Sequence, residues 1–221
     1  MHIHKFAHAA VLLENQDGCL LFDPGAFSFP AGGVQPEELT KLTAIFITHS
    51  HGDHCNPDVI KRLLTASPQA VIYTNQQIVE LLQGQGITAT AFENGSLKVG
   101  DFTVEALPAA HDTHLISAGT PTNIAYRVNN SVVHPGDSFS VEELAPWKAA
   151  PVLLTPIIAP WQNETQLYDF IQAMQPQRSI PIHDGYVQDF FREGRYQSYV
   201  EVFAAKDVTF VPLGPGMSIE L

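Results

Sequence analysis

Positive charge is scarce in this chain. Lysine and arginine together number 11 against 23 aspartates and glutamates, so the formal charge is −12 with the histidines neutral. A surface of that sign repels phosphate backbones, which argues against nucleic acid as a partner. Cysteine is almost absent. Cys19 and Cys55 make no disulfide framework, and two free thiols in a reducing compartment are expected. Long apolar runs are missing too: none approaches the roughly 20 residues that a membrane span needs. The short run at residues 9–13 leads straight into Glu14, so no cleavable leader is expected either. These absences leave a cytoplasmic protein with a small-molecule substrate and no nucleic acid or membrane partner; a homo-oligomer is compatible with all of them.

What remains is a globular composition, 45% hydrophobic and 15% charged. A length of 221 residues suits one domain, residues 1–221, with a sizeable core. Histidine is the compositional anomaly. Half of the ten histidines fall in two stretches, His49-Ser50-His51-Gly52-Asp53-His54 and His111-Asp112-Thr113-His114, with His134 and His183 further on. Histidine is the commonest protein metal ligand, and clustering favours that reading over chance.

Along the chain, apolar runs predict strands over residues 6–13, 19–22, 44–48, 70–73, 89–92, 97–99, 102–107, 122–128, 131–134, 151–154, 178–182 and 208–219. Asp17-Gly18, Asn94-Gly95, Gly100-Asp101 and Asn129-Asn130 supply turns. Helices are predicted after the caps Asn56-Pro57 and Asn75, after Asn163 with Gln166 reaching back, and over residues 196–204. Interleaved helices and strands, with hairpins at the ends of each half, predict sheets packed together with helices outside: an α/β sandwich of about four layers.

The segment from Ile45 to His54 carries the chemistry. An apolar strand ends in four potential ligands within six residues, and a capped helix begins directly after. Alternate residues His49 and His51 face one side of an extended loop. Gly52 permits a tight turn that swings Asp53 and His54 towards a second position. Imidazole with carboxylate suits zinc, iron, manganese or nickel.

Residues 48–54 resemble the HxHxDH signature of the metallo-β-lactamase superfamily, and later residues follow that family's order. His111 resembles the third histidine of the first metal site, Asp137 the bridging aspartate, and His183 the final histidine at a strand end. The resemblance runs from the first strand to His183. It implies a four-layer αββα sandwich of the metallo-β-lactamase fold and a metal-dependent hydrolase with two divalent metal ions, zinc or manganese first, iron or nickel next. The implied ligands are His49, His51 and His111 on one metal and Asp53, His54 and His183 on the other, with Asp137 shared. A metal-bridging hydroxide is the implied nucleophile, and Asp53 the implied catalytic partner of its proton.

His111 is preferred to His114 as third ligand because it lies nearer the strand end, leaving His114 as a substrate-side or supporting group. His134 is expected to be structural and Cys55 a buried thiol. His8 occupies the early-strand position of a branch resembling ascorbate-6-phosphate lactonase, which also shares the Asp23-Pro24 pair. As a catalytic histidine it would donate to substrate or solvent; as a packed one it would do neither. Asp23 is expected to orient a ligand. The implied substrate is a small ester, lactone or phosphate ester. A phosphodiesterase of the same fold and a non-hydrolytic redox or sensing protein are the alternatives. Pocket walls are assigned to residues 27–34 and 115–121, which carry no readable code.

Overall fold

The computed structural model describes residues 1–112 and 119–221. Its strands form two seven-stranded sheets. The first orders β14 (Ser218–Glu220), β1 (His2–Lys5), β2 (Val11–Asn15), β3 (Gly18–Phe22), β4 (Ala44–Phe46), β5 (Val71–Thr74) and β6 (Thr90–Ala91). The second orders β13 (Thr209–Phe210), β12 (Arg178–Ile182), β11 (Val152–Pro156), β10 (Val132–His134), β9 (Ile124–Val128), β8 (Phe102–Pro108) and β7 (Gly95–Val99). Pairing is antiparallel from β14 to β3 and parallel from β3 to β6. The second sheet mirrors this, antiparallel from β7 to β10 and parallel from β10 to β13.

The central core lies between the sheets, where Leu13, Phe22 and Phe46 of one meet Val104, Tyr126 and Ile182 of the other. Helices α1 (Pro57–Ala66) and α2 (Gln76–Gln83) bury Ile60, Leu63, Ile78 and Leu82 on the outer face of the first sheet. Helices α3 (Glu164–Met174) and α4 (Asp189–Ala204) cover the second with Leu167, Phe170, Tyr199 and Phe203. The four αββα layers are those expected. Among the described residues no helix is long and apolar enough to cross a membrane.

The local signals act as anticipated. Asn56 Oδ1 accepts from the amides of Asp58 and Val59, Asn75 caps α2, and Asn163 with Gln166 forms a complete capping box. Asn129 and Asn130 both hold φ of 51°, the left-handed pair that a tight hairpin requires.

Two expectations need correction. The run at residues 6–13 is not one strand: residues 6–10 turn between β1 and β2, with the Phe6 amide bonded to the Ala10 carbonyl at 2.9 Å. Those residues are apolar because they are buried beneath the site, and burial alone mimics a strand. Helix α4 begins at Asp189, seven residues before the expected start, because its first turns are solvated (Phe190 is 75% exposed) and show no apolar stripe. The closing strands expected over residues 208–219 are β13 and β14, and they belong to different sheets.

Candidate metal centre

The site gathers where strands of both sheets end. Beyond β4, His49 follows Thr48, and the two are organised by Asp23, which follows β3 with a left-handed φ of 46°. Asp23 Oδ1 accepts from the Thr48 amide at 2.8 Å. Its Oδ2 accepts from the Thr48 hydroxyl at 2.7 Å and from His54 Nδ1 at 2.7 Å. The Thr48 proton is thereby spent, so Oγ1 accepts from His49 Nδ1 at 3.0 Å. Both rings are turned so that Nε2 points inwards; these two nitrogens are buried with no hydrogen-bond partner. Asp23 therefore orients His54 directly and His49 through Thr48, the supporting role expected of it.

The second sheet supplies the rest. His111, past β8, pairs Nδ1 with the Asp112 carbonyl at 2.5 Å. His183 follows β12 with φ of 60°; its Nδ1 donates to the Ile158 carbonyl at 2.7 Å and its amide to the His8 carbonyl at 3.1 Å. Asp137 comes off β10 through Gly136, whose φ is 61° and whose added Cβ would lie 2.0 Å from Asn123 Oδ1. Asn123 in turn accepts from the Asp137 amide and donates to the Ala109 and Pro135 carbonyls, tying the approaches to His111 and Asp137 together.

Ligand atoms of His49, His51, His111 and Asp137 form one group and those of His8, Asp53, His54 and His183 another, each within 4.8 Å. All seven residues proposed as ligands are thus brought together. Asp137 stands between the groups: Oδ1 is 3.4 Å from His54 Nε2, and Oδ2 is 3.1 Å from His183 Nε2, 3.4 Å from His111 Nε2 and 3.7 Å from His49 Nε2. His114 lies outside the described residues.

His8 requires a correction. It sits in the β1–β2 turn, not in a strand, with φ of 62°, and it is fully buried. The Gly185 amide donates to its Nδ1 at 3.0 Å, so Nε2 keeps the proton and donates to Asp53 Oδ2 at 2.9 Å. Both nitrogens are thus engaged, and the one that faces the cluster holds Asp53. His134 likewise uses both nitrogens locally, accepting from the Gly136 amide and facing the Ala9 carbonyl. Cys19 and Cys55 are buried free thiols.

Sequence reasoning missed the aromatic neighbours. The Tyr186 hydroxyl donates to Asp53 Oδ2 at 2.6 Å. Phe27 packs on both His8 and Tyr186, and Trp161 on both His111 and His183. Phe27 did fall within a loop assigned to the pocket wall; Tyr186, three residues after a ligand, was the other available signal.

Electrostatics fit a cationic guest. Burial opposes the Asp137 charge, but His183, His54 and His49 outweigh it and hold the carboxyl well below its usual range. Burial likewise opposes a charged His54, yet Asp137, Asp23 and Asp53 overcome it and raise the imidazole to about 9. Burial and the neighbouring His54 drive His49 well down, keeping its Nε2 lone pair free for a ligand bond. Buried His8 is lowered to about 4. Inward-facing Nε2 atoms, their Nδ1 sides anchored, converging on buried carboxylates, are the donor set that a pair of divalent cations needs.

Known proteins share this architecture. A family described as the beta-lactamase superfamily domain matches residues 2–183. Protein Rv0786c of Mycobacterium tuberculosis is 32% identical over 218 residues, covering 96% of this chain and 97% of its own. A UPF0173 metal-dependent hydrolase of Methanopyrus kandleri is 27% identical over 236 residues and spans both chains fully. Among solved structures, Igni18, a metallo hydrolase of Ignicoccus hospitalis, superposes with a TM-score of 0.74 at 20% identity, covering 100% of this chain and 98% of that one.

Proposed function

This chain belongs to the beta-lactamase superfamily and is a metal-dependent hydrolase of the metallo-β-lactamase fold; from that premise we propose a two-metal enzyme that cleaves a small ester, lactone or phosphate ester. His49, His51 and His111 would hold one cation and Asp53, His54 and His183 the other, with Asp137 shared between them. The observation carrying this reading is the pair of buried, unpartnered Nε2 atoms of His49 and His54, with unpartnered Asp137 Oδ1 beside them. Two bound cations would supply Lewis acidity and lower the pKa of a coordinated water. Zinc is favoured by its frequency with such ligands, manganese by the resemblance of the Asp23-Pro24 pair to the ascorbate-6-phosphate lactonase branch.

The remaining work falls to side chains. Asp53 is held ionised: burial opposes its charge, but the His8 hydrogen bond and the nearby His54 and His183 outweigh that cost. With Oδ2 fixed by His8 and Tyr186, this carboxylate receives the proton of the attacking water and returns it to the leaving group. His8 and Tyr186 keep it in place.

Elemental analysis of protein purified without chelator tests this directly. About two metal ions per chain are expected, and Asp137→Ala should lower both occupancy and hydrolysis, since two cations lose a common anion. A value fixed at one after incubation with zinc or manganese would overturn the shared site.

A further inference from the structure

Around the two clusters the structure places aromatic rings: Phe27, Trp161 and Tyr186 all contact members of them. Tyr186 and Phe27 pack edge to face with centroids 5.5 Å apart, and they approach His8 at 4.9 and 5.6 Å. Trp161 lies 5.8 Å from His111 and 5.9 Å from His183, and Phe139 stands edge-on to it at 5.4 Å. Phe27 and Tyr186 are 44% and 46% exposed, although both contact a buried centre. Such rings meet the site with one edge and open space with the other.

Charge narrows the choice further. Among the described residues, no lysine or arginine pairs with a member of either cluster, and none stacks on Phe27, Trp161 or Tyr186. Residues 113–118 contain neither amino acid. Lys5, which approaches through Asp184, is fully buried and bonded to that carboxylate at 2.5 Å. Arg192 is turned to Asp189 and Arg195 to Glu164. A second charge on the substrate, away from the atoms the metal ions hold, would lose hydration against these rings and find no partner.

We propose that the substrate is an uncharged carboxylic ester or lactone bearing an apolar, aryl-sized group that lies against Phe27, Trp161 and Tyr186. This rests on the two-metal hydrolase reading and narrows it to substrates that carry no charge beyond the atoms the metal ions would hold. In the reaction the water oxygen bonds to the acyl carbon, the acyl C–O bond breaks, and the departing oxygen takes a proton through Asp53. The products are a carboxylic acid and an alcohol, joined in one molecule when the substrate is a lactone.

The test uses the metal-loaded full chain and two ligand pairs that differ only in a distal sulfonate, a poor metal ligand. The 4-nitrophenyl esters of phenylacetic and 4-sulfophenylacetic acid report turnover; the corresponding primary amides report binding by calorimetry. Expected are a kcat/KM for the neutral ester at least about tenfold above its sulfonated counterpart, and the same order in amide affinity. Trp161→Ala should raise KM for the neutral ester about tenfold at unchanged metal content. Equal or reversed preference in the amides, or a KM that Trp161→Ala leaves in place, overturns the inference whatever the turnover. Absence of turnover for both esters, with the amide preference intact, sinks the hydrolytic reading instead and leaves the apolar site supported.

Discussion

Both ring nitrogens of His8 are engaged, and that settles which proton it carries. With the Gly185 amide on Nδ1, only Nε2 can donate, and it donates to the oxygen of Asp53 that also receives Tyr186. A hydrogen bond to a charged acceptor contributes about 1.5–3 kcal/mol. Tyr186→Phe should therefore lower kcat roughly 10- to 100-fold while elemental analysis finds the metal content unchanged. Full kcat in that variant would leave Tyr186 a role in the pocket wall alone. The two thiols supply a pH test. Burial, with help from Asp23, pushes Cys55 up to about 12, and burial with Glu14 pushes Cys19 up to about 11. A raised thiol pKa means the neutral form throughout pH 6–9, so iodoacetamide should label neither native cysteine there, and labelling should climb only above about pH 10. Rapid native labelling at pH 8, read by mass spectrometry, would contradict that. At this scale the converging candidate residues were legible because histidine and aspartate at HxHxDH spacing have few other uses. Tyr186 and Trp161 were not, since an aromatic side chain reads equally as core.

Among the elements, the loop after β3 braces the ligand loop through backbone contact. The Ala26 amide bonds to the Gly52 carbonyl at 2.8 Å and the Asn56 amide to the Pro24 carbonyl at 3.3 Å. Between them a Cβ on Gly25 would lie 1.7 Å from the Asp53 carbonyl oxygen and 2.5 Å from the His54 nitrogen. Those are backbone atoms of two candidate ligands, so the loop itself must shift. Gly25→Ala should cost about 1–3 kcal/mol and release metal from the Asp53/His54 group. Gly52→Ala is the control: nothing lies within 4 Å of its added Cβ. That variant should keep its metal and melt at or slightly above the parent temperature, since alanine narrows the unfolded ensemble. Metal analysis and thermal melts of the pair decide; equal behaviour would show that the brace is slack. The sequence revealed α1, α2 and α3 through their caps and most strands through apolar runs. It concealed the break at residues 6–10, because those residues are apolar for reasons of burial beneath the site.

Over the whole molecule, the two sheets are joined behind the site by a buried charge that nothing in the residue pattern announced. Lys5 on β1 belongs to the first sheet and Asp184, just past β12, to the second; the Tyr196 hydroxyl of α4 also donates to Asp184. Neither charged side chain has solvent access. Burial drives the Lys5 ammonium down from its ordinary pKa more strongly than Asp184 raises it, so desolvation outweighs the attraction. It follows that the pair contributes little net stability, while either partner alone is costly. Lys5→Met leaves Asp184 buried without its cation and should destabilise the chain by about 3–5 kcal/mol, a fall of roughly 2–4 °C in melting temperature per kcal/mol at this size. Adding Asp184→Asn removes the stranded charge but keeps an acceptor for Tyr196, and the double variant should regain more than half of the loss. Denaturant unfolding of parent, singles and double closes the cycle. Additive losses would mean that Lys5 and Asp184 are not energetically coupled, and a double variant no more stable than Lys5→Met would mean that attraction, not desolvation, dominates the pair; either outcome is contrary to the balance argued here. Metal content belongs in the same experiment, because Asp184 follows His183, and a double variant that is stable yet metal-poor would show that the pair serves the site by fixing the turn at His183.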